Sequence, residues 1–118
     1  MGVRARSGLP PRIGHSAIAR KLGNALCAPN IEFVPEGTIE PPSSHMTSPG
    51  TISLREETFR ALLTDVAHSL KMHGFKNIIF IGDSGGNQGG QRAVAEELNK
   101  RFNGDAVVAH VQEYFTYN

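Results

Sequence analysis

The chain contains no tryptophan and one cysteine, Cys27, among its 118 residues. A single thiol excludes an intrachain disulfide and any cysteine metal cluster, so a reducing, cytoplasmic setting is the expectation. Cys27 ends an apolar helical stretch, where a buried, inert thiol is expected rather than a nucleophile. No apolar run reaches the length of a membrane span or a signal peptide, which argues against a membrane partner. Myristoylation is excluded because Arg6 stands where Ser or Thr is required. Excess charge is also lacking: 12 Lys and Arg against 11 Asp and Glu leave a net charge of +1. That balance argues against nucleic acid as a partner. Acids are absent before Glu32, whereas Arg4, Arg6, Arg12, Arg20 and Lys21 all precede it. Residues 1–14 therefore read as an irregular basic arm, of the kind that meets phosphates or anionic lipid. The remainder, 15–118, has the length of one small domain.

Ordinary apolar content is present, and its spacing carries the secondary structure. Ile18, Leu22, Ala25 and Leu26 share one face of an expected helix over 16–26. Residues 31–34 read as a strand, and 35–50, rich in Pro, Gly and Ser, as a long loop. A stronger helix follows. Ser53 and Glu56 have capping-box spacing, and Phe59, Leu62, Leu63, Val66 and Leu70 form one apolar stripe. Gly74 suits a left-handed stop. Ile78 to Ile81 is an unbroken β-branched and aromatic run, which reads as a central strand buried on both faces. A helix over 88–102 and an apolar strand over 106–111 complete the order helix, strand, helix, strand, helix, strand. That alternation predicts an α/β fold with a mainly parallel sheet.

Residues 82–87, Gly-Asp-Ser-Gly-Gly-Asn, lie between a strand and a helix. In open parallel sheets ligands bind beyond the carboxyl ends of the strands. Gly85 and Gly86 allow close backbone approach, and free N–H groups there favour an anion. Asp83 and Ser84 add a carboxylate and a hydroxyl and are the candidate catalytic residues. A plain strand-to-helix turn with Asn87 as the cap is the alternative. The same residues satisfy G-x-S-x-G in a strand-turn-helix setting, so a serine hydrolase using Ser84 is one functional candidate. It needs a histidine base, and only His110, inside the last expected strand, follows Ser84.

A longer pattern runs from about Leu9 to Val111. Ser44-His45-Met46 is followed by Ser48-Pro49-Gly50-Thr51-Ile52-Ser53, Glu57-Thr58 and His73-Gly74-Phe75. Lys76 to Ile81 then leads into a loop that matches Gly-His-Gly-Gly-Asn. In order and spacing this stretch resembles the creatininase family, as do Ala28-Pro29 and Val34-Pro35-Glu36-Gly37. The resemblance implies a three-layer α/β/α sandwich, here a partial one, since a complete member is about twice as long. It also implies hydrolysis of non-peptide, often cyclic, C–N amide bonds, with a small-molecule amide as substrate. A pair of divalent metals, zinc or manganese, would share and activate a water. Substrate binding would fall to His45, Gly85, Gly86 and Asn87, and homo-oligomers are a further expectation.

The metal ligands depart from that pattern. The family's Glu-x-His-Gly falls where this chain has Val3 to Arg6, its next aspartate falls on His15, and its loop histidine on Ser84. His15 and Asp83 remain as candidate metal ligands, so metal binding is expected to be weak or absent. The residues thus leave two further readings beside the serine hydrolase. One is an amidohydrolase of this family, inactive as the chain stands; the other is a non-catalytic remnant or interaction protein.

Overall fold

The computed structural model describes residues 11–117, with side chains from Ser16 onward. The elements are α1 (Pro11–Leu22), α2 (Glu56–Met72), β1 (Asn77–Phe80), α3 (Gly85–Phe102), β2 (Val107–His110) and α4 (Glu113–Thr116), with a short 3-10 turn at Ser44–Thr47. The chain is a mixed α/β fold, as the alternation of patterns implied.

α2 forms because its apolar residues recur at helical spacing. Phe59, Leu63 and Ala67 are fully buried, and each large side chain contributes roughly 1.5–3 kcal/mol by leaving water. Glu56 and Glu57 in its first turn and Lys71 in its last complement the helix dipole. Gly74, at φ +96°, ends the helix, and the Phe75 N–H turns back to the Leu70 carbonyl at 3.1 Å. The capping box does not form. Arg55 is the N-cap, and Ser53 Oγ accepts the Glu36 N–H at 2.8 Å and donates to the Gly37 carbonyl at 2.7 Å. Ser53 serves the long loop instead of the helix end.

β1 and β2 pair in parallel, with Asn77 opposite Val107 and Phe80 opposite His110. Ile78 and Phe80 of β1 and Val108 of β2 face the core, where they meet Phe59 and Leu63 of α2 and Val94, Leu98 and Phe102 of α3. The alternate residues face the other way, and α1 with the following turn lies on that side. Between them is a cavity of about 380 Å³ lined by Ile18, Leu22, Leu26, Phe75, Ile79 and Ile81. The layers are therefore helix, sheet, helix pair, with the α1 layer sparse. β1 is not buried on both faces: Asn77 is exposed and Ile79 half-buried, because only α2 and α3 pack tightly. Nor is it central, since the sheet has two strands among the described residues.

Other boundaries also move. α1 starts at Pro11, inside the stretch read as an irregular arm, since proline suits the first helical position. It ends at Leu22 because Gly23 adopts φ +79°. Cys27 is consequently exposed, not buried. The expected strand at 31–34 reduces to one bridge residue, Ile31. Its end is instead tied down as a strap, the Leu54 N–H donating to the Val34 carbonyl.

The free edge of β2 is guarded from within. Asn99 Oδ1 accepts the Val108 N–H and Asn99 Nδ2 donates to the Val108 carbonyl, both at 2.8 Å. One carboxamide thus imitates a neighbouring strand for one rung.

Candidate functional site

The carboxyl ends of β1 and β2 lie side by side, and the residues after Phe80 cross over them into α3. α3 begins at Gly85, with extended Ser84 as its N-cap, so the glycines belong to the first turn rather than to a loop before it. The first turn leaves N–H groups without helical partners. Gly85 and Gly86 are exposed. The lack of a side chain matters at Gly86, where a Cβ would stand a tight 3.2 Å from the Pro35 carbonyl, whereas one on Gly85 would make ordinary contact with the Phe115 ring at 3.5 Å. The loop is therefore enclosed by the 34–37 strap on one side and α4 on the other.

Gln88, in the same first turns, is the organising residue. Its Nε2 donates to the Gly82 carbonyl at 3.1 Å and to the Ser84 carbonyl at 2.9 Å, and its Oε1 lies 2.7 Å from His110 Nε2. Gln88 is buried, so these bonds are shielded from water. His110, the last residue of β2, is half-buried. Burial pushes its pKa down, the Arg92 charge adds to this, and Glu113 opposes it. On the other side Tyr114 is pushed up by burial and by the negative charge of Asp83. Asp83, Gln88, His110 and Tyr114 thus form one polar neighbourhood at the strand ends.

The residues expected from sequence are distributed unevenly. Asp83, Ser84, Gly85 and Gly86 stand together at the strand ends. Asn87 follows them but points inward: it is fully buried, and neither polar atom of its side chain has a partner among the described protein atoms. The same holds for Gln91 one turn later. His45 sits exposed on the 3-10 turn. Its loop is closed by Ser43 Oγ, which accepts from the Thr38 N–H at 2.8 Å and from Thr38 Oγ1 at 2.7 Å. The His15 side chain lies outside the described residues. Among the described hydrogen bonds none joins Ser84 Oγ to a histidine, and His110 directs Nε2 to Gln88.

The pattern alone passed over Gln88 and Tyr114 and noted His110 only as the one later histidine. The signal for His110 was its place at the carboxyl end of a parallel strand. For Gln88 the two backbone partners, Gly82 and Ser84, are local, but its third partner, His110, is 22 positions away and leaves no mark near Gln88.

A family model described as creatinine amidohydrolase matches residues 13–118. The chain belongs to the creatininase family. No curated protein and no solved structure gives a significant match. Creatininase membership implies an amidohydrolase type of function and a metal-dependent reaction. This chain's side chains do not fit that metal: among the described residues no three His, Cys, Asp or Glu side chains stand close enough to share an ion. No helix among the described residues is long and apolar enough to cross a membrane.

Proposed function

We propose that this creatininase-family chain binds a small-molecule amide at the carboxyl end of the β1–β2 sheet without hydrolysing it through a two-metal centre. One observation supports the reading: in a chain of this family, residues 82–88 form a glycine-opened helix start at the strand ends, and among the described residues no group of three His, Cys, Asp or Glu could hold a metal ion. The arrangement offers N–H donors to a carbonyl oxygen and polar side chains to an amide nitrogen. Among the described residues no base is hydrogen-bonded to the Ser84 hydroxyl, and a neutral hydroxyl is a poor nucleophile.

The test combines binding and turnover. Protein purified without added chelator is analysed for zinc and manganese, then mixed with a cyclic amide such as creatinine while backbone amide resonances are followed. The expected result is well under one metal per chain, saturable shifts confined to residues around 82–88, and no amide cleavage above buffer. Two metals per chain with turnover would restore the hydrolase. Absence of shifts at residues 82–88 would remove the amide-binding reading.

A further inference from the structure

The main-chain groups of β2 turn alternately towards β1 and away from it. The Val107 N–H donates to the Lys76 carbonyl at 2.8 Å and the Val111 N–H to the Phe80 carbonyl at 3.1 Å. With Asn77 opposite Val107 and Phe80 opposite His110, residues 107, 109 and 111 serve the sheet. Val108 and His110 therefore point their N–H and C=O to the free edge. The Val108 rung is taken by the Asn99 carboxamide, which meets both groups at 2.8 Å. His110 is the next rung. Its described side-chain bond is made by the ring, to Gln88, and leaves its main chain to the edge. An open cavity of about 360 Å³ lies there, lined by Arg92, Glu96, Asn99, Val108, His110 and Glu113. An opening of that size suits a small ligand or a short stretch of chain.

We propose that this groove takes a short, extended, basic peptide, which adds to the free edge of β2 at His110. Asn99 shows what the edge accepts: an amide from outside the strand, giving and taking one hydrogen bond on the same residue. An added segment repeats that exchange one rung further on. One of its residues accepts from the His110 N–H and donates to the His110 carbonyl, as in an antiparallel hydrogen-bonded pair. Charge selects the segment. Glu96 and Glu113 set two carboxylates on the groove against the one guanidinium of Arg92, which leaves it negative. All three side chains are exposed, and none is in an ion pair among the described residues. Burial and Arg92 also hold the His110 ring towards its neutral form, so it adds no opposing charge. A lysine or arginine of the segment thus meets Glu96 or Glu113. Asn99 closes the following rung, which keeps the segment short. The groove includes none of residues 82–88, so its occupancy does not depend on the amide site proposed above.

Three acetylated and amidated peptides test it. Val-Lys-Val-Lys-Val carries both the charge and the main chain. Val-Glu-Val-Glu-Val reverses the charge. The lysine peptide N-methylated at every residue keeps the charge and loses its main-chain donors. Each is titrated at low salt into the isotope-labelled full chain while the backbone amides are followed. The lysine peptide should give a saturable shift of the His110 amide. The N-methylated form should bind more weakly by about three- to tenfold, the size of one hydrogen bond. The glutamate peptide should bind more weakly than the lysine peptide. Glu96→Lys combined with Glu113→Lys, both at exposed positions, should invert that preference. Equal affinity for the N-methylated and unmodified lysine peptides would overturn strand addition and with it the proposal. So would equal affinity for the glutamate and lysine peptides, or a His110 amide that the lysine peptide leaves unmoved.

Discussion

Two adjacent glycines in α3 should respond to the same substitution with opposite sign. Gly89 is exposed, and a Cβ built on it meets nothing within 4 Å. Gly90 is buried, and its Cβ would lie 2.8 Å and 2.9 Å from two atoms of the Phe59 ring and 2.9 Å from Glu56 Oε1. Both residues lie inside one helix, so each alanine gains about 0.8–1.0 kcal/mol of helix propensity. Gly89→Ala keeps that gain. Gly90→Ala must displace a ring, against ordinary carbon contacts of roughly 3.5–4.0 Å. Phe59 is fully buried and lies in the core beside Leu63, Val94 and Leu98, so the ring has little room to retreat. Overpacking of this kind costs about 1–3 kcal/mol. The propensity term is common to both variants and cancels in their difference. Gly89→Ala should therefore exceed Gly90→Ala in stability by about 1–3 kcal/mol. Urea unfolding followed by circular dichroism, with a shared slope, measures that gap directly. Equal stability of the two variants would mean that α2 does not cross α3 at Gly90, and the reasoning on helix packing would fail.

Gly37→Ala should cost at least about 1–3 kcal/mol, because φ is +114° and a Cβ there would overlap the Ser43 carbonyl; urea unfolding and faster protease cleavage within 38–48 would show it. His110, depressed in the fold, should make stability fall as pH drops below 6.5, because the unfolded chain takes up a proton that the folded chain resists; the loss levels off once pH passes below the folded pKa. His110→Asn should flatten this part of the slope, and identical pH dependence in both proteins would refute it. Self-association is expected at micromolar concentration through the outer sheet face, where Val107 is 50% exposed. Asn99→Ala should increase it by uncovering the Val108 rung of β2, and light scattering showing a monodisperse monomer for both proteins would count against this.

Much of the frame was legible in the residues. The α2 stripe, the Gly74 stop, the parallel pairing of the two apolar runs and the glycine turn between strand and helix all follow from local spacing and backbone chemistry. Local signals failed where a residue had a better use elsewhere. Ser53 has the spacing of a helix cap, but the strap at Glu36 and Gly37 takes its hydroxyl. Ile78 to Ile81 is apolar throughout, yet its two faces differ, since composition cannot tell how many layers will cover a strand. Cys27 was placed on a helix that Gly23 ends first.

By itself the sequence determined the family and the alternation of helices and strands, because each resides in contiguous residues. Only the tertiary structure decided that Gln88 holds both the 82–84 backbone and His110, that Asn87 faces inward, and that Asn99 guards a strand edge. The Gln88–His110 bond joins positions 22 apart, and a carboxamide carries no mark in sequence of which carbonyl or imidazole it will meet. Folding closes the loops that bring such partners together.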